Sequence, residues 1–320
     1  MYQIKILGTI IVSLALIIAT LSVGAQMDAV NVAFAVNNGN AIIQKLNQNL
    51  SNNTAGISQF NACGGQRGAE ILPGCSNNKI VQNQTQINQC GLETGSCTNQ
   101  GSQGANITGT ANSQISQTQN QLNACATQGQ CTNAASSQGG IQNSENSQIT
   151  QIQTQENNCE LSAVLQSFSS CSNQATTTAN IIGSSNSQIS QSQAQTNSCD
   201  VTAPCNNVAS SQGIIQNSQN SQISQTQQQG NTCIEGAGCS VQSTQTAGIS
   251  GSSNSQIGQT STGGNTCSGA GSSCSVTNSQ TALIKDISNA KIEQQATGNN
   301  QCSGNGSSCS SSSSQSASIS

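Results

Sequence analysis

The chain has 320 residues, of which only 5% are charged and 1% aromatic, with no histidine and no tryptophan. Leu, Ile, Val and Phe supply 44 of the 295 residues after position 25, about 15%, below the roughly 20% at which a conventional globular core becomes doubtful. The 6 basic and 10 acidic residues form no basic run. That argues against nucleic acid as a partner, and so low a charge is also unlike a solvated disordered chain.

Residues 1–25 carry one charge, Lys5, followed by an apolar run from Ile6 to Val23 and the small-x-small triplet Val23-Gly24-Ala25. This pattern predicts a secretory signal peptide. The run approaches the ~20 residues that span a bilayer, so a retained anchor is the alternative and the only route to membrane contact. A pilin-like leader cut after Gly8 is a third reading, and all three place the remainder outside the cytoplasm. Residues 26–62, including the alternating Val30-Asn31-Val32-Ala33-Phe34-Ala35-Val36, are expected to form an N-terminal cap over a sheet edge.

Residues 63–320 read as a repeat array whose ruler is cysteine. The sixteen cysteines form eight close pairs, Cys63/Cys75, Cys90/Cys97, Cys125/Cys131, Cys159/Cys171, Cys199/Cys205, Cys233/Cys239, Cys267/Cys274 and Cys302/Cys309. The step within a pair varies from 6 to 12, while the step from one pair to the next is 28 in all six cases between Cys97 and Cys302. Each repeat therefore has a fixed arm and an adjustable loop. An even number of ordered cysteines suits an oxidising, extracellular or surface location. Because the loops vary and the arms do not, pairing within each loop is expected. Pairing between coils is the competitor, since Cα atoms one strand apart also lie within disulfide reach. Spacings unlike zinc knuckles and the lack of histidine predict no metal and no cofactor.

Counting each arm from its opening cysteine as zero exposes what it preserves. Offset 10 is Ile107, Ile141, Ile181, Ile215, Ile249 and Ile284, and offset 18 is Ile115, Ile149, Ile189, Ile223, Ile257 and Ile292. Offset 20 is Gln117, Gln151, Gln191, Gln225, Gln259 and Gln294, and asparagine stands at offset 15 throughout. On a helix, offsets 10 and 18 would lie about 80° apart with no coherent apolar face. On a strand, every preserved inward candidate, at offsets 8, 10, 18, 20 and 26 and at both cysteines, has even parity. Between the isoleucines lie turn-like tetrads such as Gly183-Ser184-Ser185-Asn186, Asn217-Ser218-Gln219-Asn220 and Gly251-Ser252-Ser253-Asn254. The expected fold is all-β, a β-solenoid of stacked strand-arc-strand coils with a repeat of about 34 residues, each coil carrying a disulfide-closed loop. Stacking at ~4.8 Å places isoleucine on isoleucine and glutamine on glutamine, so the amides can bond along the stack. A disordered Gln/Asn-rich segment is the alternative.

Chemistry-bearing residues are sparse. The acidic side chains are scattered, with Glu156 and Glu160 nearest to a cluster and with Asp286 and Glu293 beside Lys285 and Lys291 on a solvated coil face. No nucleophile elbow, phosphate loop or dinucleotide fingerprint is present, so no enzymatic activity is expected. Asn49, Asn52, Asn83, Asn106 and Asn305 begin sequons available for glycosylation.

The array ends are complementary. The arm before Cys90 matches the second half of a full arm, with Ile80, Gln82 and Asn88 at the repeat offsets, and Ser310–Ser320 matches the first half, with Gln315, Ala317 and Ile319. Head-to-tail self-association into filaments follows as an expectation, and deleting Ser310–Ser320 should leave a soluble monomer. The alternative role uses outward hydroxyls at offsets 19 and 21, Ser116/Thr118, Ser190/Ser192, Ser224/Thr226 and Gly258/Thr260, as an ice-binding or glycan-binding face, interrupted at Thr150/Ile152 and Glu293/Gln295. The string Ile214-Ile215-Gln216-Asn217-Ser218-Gln219-Asn220-Ser221-Gln222-Ile223-Ser224-Gln225 resembles the curlin repeat of curli subunits over roughly residues 76–320. What that resemblance implies is an extracellular structural protein of a biofilm matrix that polymerises into amyloid fibres.

Overall fold

A computed structural model describes residues 29–36, 41–51, 54–63, 65–67, 70–72, 79–90, 97–108, 111–125, 130–159, 170–199, 204–234, 237–285 and 288–320, with side-chain surroundings from Lys79 onward except at 88–90, 97, 111 and 125. The expected leader, and the sequons' Asn49 and Asn52 side chains, lie outside this description. Two large parallel sheets hold most of the described residues. Sheet A contains, in spatial order, β1 (Ala29–Val36), β3 (Thr54–Cys63), β7 (Cys97–Thr108), β9 (Gln130–Gln142), β11 (Ser170–Ile182), β13 (Cys205–Gln216), β15 (Gly238–Ser250), β17 (Ser273–Lys285) and β19 (Ser308–Ile319). Sheet B contains β2 (Ala41–Ser51), β6 (Lys79–Cys90), β8 (Ala111–Cys125), β10 (Glu145–Cys159), β12 (Ser187–Cys199), β14 (Ser221–Ile234), β16 (Asn254–Ser268) and β18 (Asn289–Ser303). A short antiparallel pair, β4 (Gly65–Arg67) and β5 (Glu70–Leu72), lies between β3 and β6 in sequence.

From β6 onward successive strands alternate between the sheets, so each coil contributes one strand to each, and the coils stack as a β-solenoid. The cause is the period-two pattern of the arm. Along β12 burial alternates residue by residue, with Ile189, Gln191, Gln193, Gln195, Asn197 and Cys199 inside. Parity alone thus assigns every side chain to a face. Register is like on like. In sheet A, Cys171, Cys205, Cys239, Cys274 and Cys309 pair in succession. In sheet B, Ile115, Ile149, Ile189, Ile223, Ile257 and Ile292 do the same. The two rows of isoleucine, from offsets 10 and 18, meet in one buried apolar cluster with Ala105, Ala179, Ala247 and Ala282. Offset 8 must be small. A Cβ on Gly139 or Gly213 would come within 3.0 Å of the Ile149 or Ile223 Cγ2.

The arcs explain their composition. Asn143 and Asn217, where Gly183 and Gly251 stand in other coils, have φ of 51°, 52°, 68° and 62°, and Asn112, Asn146 and Asn220 at offset 15 have φ of 55°, 51° and 52°. Only glycine and asparagine take this left-handed conformation readily. The serines inside the arcs are buried and link the arc of one coil to that of the next, as in Ser187 Oγ to Ser218 Oγ at 2.6 Å and Ser147 Oγ to Ser184 Oγ at 2.8 Å.

Residues 26–62, read from the sequence as a cap, contribute β1, β2 and β3, which extend both sheets in parallel, with Ile42 beside Ile80 and Gln44 beside Gln82. Cys63 stands beside Ile107, in the isoleucine row and not in the cysteine row. Its expected partner Cys75 lies outside the described residues. Among the described residues no helix is long and apolar enough to cross a membrane.

Candidate functional site

The inner face is largely polar, and most of its buried amides are hydrogen-bonded, with Asn99 Oδ1, Gln229 Oε1 and Asn265 Oδ1 among the exceptions. In the offset-20 column each glutamine donates Nε2 to the Oε1 of the preceding coil: Gln117 to Gln82 at 2.7 Å, Gln151 to Gln117 at 2.8 Å and Gln191 to Gln151 at 2.9 Å. Gln225, Gln259 and Gln294 continue it at 2.8, 2.8 and 2.7 Å. The other Nε2 hydrogen crosses to a backbone carbonyl of the facing strand, such as Thr178 C=O from Gln151 and Gln212 C=O from Gln191. Amides buried in this way are stabilising only when every partner is present. All the amide–amide bonds of this column run in one direction, toward the preceding coil.

Two further glutamine columns stand on sheet B, Gln84-Gln119-Gln153-Gln193-Gln227 and Gln86-Gln121-Gln155-Gln195-Gln229. Next to the disulfide edge, asparagines of both sheets form a zigzag. Asn99 donates to Asn123 at 2.7 Å and to Asn133 at 3.0 Å, Asn133 to Asn157 at 2.7 Å, Asn157 to Asn173 at 2.9 Å, and Asn173 to Asn197 at 2.7 Å. These columns escape a reading of single offsets, although Asn two residues before each pair's first cysteine is visible in the sequence.

The disulfide edge closes each coil opposite the arc. Cys159–Cys171, Cys199–Cys205, Cys233–Cys239, Cys267–Cys274 and Cys302–Cys309 are bonded within their loops, with Cα separations of 6.6, 6.3, 6.2, 6.2 and 6.1 Å. Cys131 is also disulfide-bonded. The Cys90, Cys97 and Cys125 side chains fall outside the described set. The sulfurs form a continuous buried cluster along the axis, in which the Sγ atoms of Cys239, Cys267 and Cys274, for example, all lie within 4.8 Å of one another.

Outward columns differ between the sheets. The hydroxyls at Ser116/Thr118, Ser190/Ser192 and Ser224/Thr226 on sheet B are half-buried among their neighbours, while Ile152 is exposed. On sheet A a hydroxyl column not singled out in the sequence runs through Ser102, Ser136, Thr176, Ser210, Thr244, Ser279 and Ser314. Lys285 is the single charged residue in the described strands of sheet A, whereas sheet B carries Lys45, Lys79, Glu145, Glu156, Lys291 and Glu293. The Lys291–Glu293 pair, at 2.5 Å, is well exposed on both sides. Of the sequons, Asn106 is exposed on sheet A, Asn83 is half-buried on sheet B, and Asn305 lies in the loop closed by Cys302–Cys309. Asp286 and Glu160 fall outside the described residues.

The last coil is uncovered on one side. Along β19 every residue is exposed, Ile319 to 56%, and β18 alternates between exposed and half-buried where inner strands alternate with buried. In a parallel ladder a residue points both its N–H and its C=O to the same side, and alternate residues switch sides. The Ser320 N–H donates to Ile284 C=O, so the even-numbered residues of β19 face β17. Cys309, Ser311, Ser313, Gln315, Ala317 and Ile319 point theirs away from it. The Oε1 atoms of Gln294 and Gln315 end their columns on this side, since each residue donates inward to Gln259 or Gln280. Comparison with family models, curated proteins and solved structures gave no significant match.

Proposed function

We propose that this is a structural repeat protein of the cell surface or extracellular matrix that associates with copies of itself, end to end, into filaments. The observation that carries this reading is that in sheet B, from β2 to β18, every strand stacks on the next through the same isoleucine row and the same glutamine column. An uncovered coil is therefore complementary to another uncovered coil. The β18/β19 edge offers unpaired backbone groups, an isoleucine row and glutamine acceptors, and the β1/β2 edge ends the same two sheets at the other pole. Adding strands to such an edge is a common mode of self-recognition, and a head-to-tail contact of this kind propagates unless it closes. The resemblance to curlin repeats supports the same role, as do disulfides suited to an oxidising environment. A stacked core of amides and sulfurs, with few titratable groups, favours a structural over a catalytic role.

The test is assembly of the oxidised protein followed by sedimentation and negative-stain microscopy. The intact chain should give unbranched filaments. A Ser313→Pro/Ala296→Pro variant, which removes outward edge donors from β19 and β18, should remain soluble and folded. Polymerisation of that variant at the native rate, or no assembly of the intact chain at any concentration, overturns the reading.

A second reading has one specific observation in its favour. The sheet A hydroxyl column repeats in seven successive coils on a face with one charge, which suits an ordered hydroxyl lattice such as ice or a cell-surface glycan. Thermal hysteresis lost on Ser210→Lys/Thr244→Lys substitution supports it, and its absence from the native protein removes it.

A further inference from the structure

We propose that the disulfide edge is a thiol–disulfide exchange column, in which a thiol generated at the exposed coil is handed inward from one coil to the next. Its substrates are external dithiols and disulfides, which meet the column at Cys302–Cys309. Cys309 is exposed and Cys302 half-buried, while the cysteines from Cys131 to Cys274 are at most 3% exposed. A reagent in solution therefore reaches the column from this end.

Three features make exchange geometrically possible. Each cysteine from Cys159 to Cys309 stands in register with its counterpart one strand away, at the ~4.8 Å spacing of paired strands, inside the 4.4–6.8 Å Cα window for a disulfide. The bonds within coils sit toward the top of that window, at 6.1–6.6 Å. Each of these cysteines thus has an alternative partner at least as near through the backbone as its present one. The sulfurs also form triplets within 4.8 Å: Cys274 with Cys302 and Cys309, Cys239 with Cys267 and Cys274, and Cys205 with Cys233 and Cys239, which overlap at Cys274 and Cys239, and Cys159 and Cys171 with Cys199, which is joined to Cys205 by its disulfide.

The path follows from these triplets. A dithiol reduces Cys302–Cys309, becoming a disulfide itself and leaving two thiols. The Cys309 thiolate attacks the Cys274 Sγ, forming Cys274–Cys309, breaking Cys267–Cys274 and releasing Cys267 as thiolate. Cys302 can attack in its place. Cys267, already within 4.8 Å of Cys239, attacks it and releases Cys233. Cys233 releases Cys199 from Cys205, and Cys199 releases Cys159 from Cys171. Each step forms one S–S bond, breaks one and regenerates one thiolate, with no net oxidation, as exchange requires. The migrating thiol always emerges on sheet B; the first new bond joins neighbouring coils, and each later one, Cys239–Cys267, Cys205–Cys233 and Cys171–Cys199, joins the two ends of one arm. This exchange does not depend on end-to-end association.

The experiment treats the dilute full-length oxidised protein with one equivalent of dithiothreitol at pH 8. Acid quenching, maleimide labelling under denaturing conditions, peptic digestion and mass spectrometry then locate the thiols. The expected result is one label on Cys302 or Cys309 and a second spread over Cys267, Cys233, Cys199 and Cys159, with Cys274–Cys309 or Cys274–Cys302 and Cys239–Cys267 among the new bonds. Labels confined to Cys302 and Cys309 with all inner pairs native, or two labels on one inner pair, overturn the proposal. In a Cys267→Ala/Cys274→Ala variant, which removes the first acceptor, inward label should fall at least fivefold. Undiminished inward label in that variant also refutes it, and should the variant misfold, the mapping on the native protein decides alone.

Discussion

Replacing Gln191 by leucine isolates the contribution of one rung in the amide stack. Gln191 donates to Gln151 Oε1 at 2.9 Å and to Gln212 C=O at 3.0 Å, and accepts from Gln225 Nε2 at 2.8 Å. Leucine preserves most of the volume but leaves the Gln151 Oε1 and one Gln225 N–H without partners in a region where Gln191 itself is 1% exposed. Each buried orphan costs about 1–3 kcal/mol, and the added apolar burial offsets about 1 kcal/mol. The net loss should be about 3 kcal/mol, or roughly 100-fold in the opening equilibrium. Native-state hydrogen exchange read by mass spectrometry should show that loss locally, in the amides of β12 and β14, with β18 unaffected. Converting Gln117, Gln151, Gln191, Gln225 and Gln259 together to leucine removes donors along with acceptors. It should cost less per coil than the single change. A single variant that loses under threefold protection, or a full-column variant that loses more per coil, refutes the view that unpaired amides dominate this core.

Other outcomes follow from single contacts. Asn217, at φ 52°, should tolerate Asn217→Gly within ~0.5 kcal/mol, whereas Asn217→Val should lose about 1–2 kcal/mol in denaturant titration. Gly263→Ala places a Cβ 2.6 Å from Val276 Cγ1 and should destabilise by about 1–3 kcal/mol, with recovery on adding Val276→Ala. Removing Cys199–Cys205, whose cysteines are 6 residues apart, should cost about 2 kcal/mol, and removing Cys159–Cys171, 12 apart, slightly more; exchange protection of the flanking strands measures both. Glu293→Gln should change stability by less than about 0.5 kcal/mol at any salt concentration, because the pair with Lys291 is solvent-exposed.

Much of this architecture can be read from columns that never vary. Isoleucine at offsets 10 and 18 and glutamine at offset 20 announce strand parity, register and stacking, because each occupies one environment in every coil. What escapes a column-by-column reading is compensation between facing strands. Gln153 and Gln227 on sheet B donate to Ser137 and Ser211 on sheet A, but in later coils sheet A supplies Gln245 and Gln280 while sheet B has Ser261 and Ala296. The volume and the amide are kept, and only their side changes. Val241 and Val276 likewise replace inner asparagines where Gly263 makes room. The N-terminal strands were hidden for another reason: β1 and β2 contain no cysteine, and β3 carries Cys63 at an isoleucine position, so the cysteine ruler does not extend to them.

Length variation is confined to one margin of the solenoid. The loops between paired cysteines differ, while the arcs opposite keep their geometry, so the register recovers after the longest loop, with Cys171 returning beside Cys131 and Cys205. Since a coil touches only the coils above and below it, gain or loss of a whole repeat changes the reach of the molecule by about 4.8 Å without redesign elsewhere. Natural variants of different size can therefore share one cross-section, and insertions along that margin would line up like teeth on a rack.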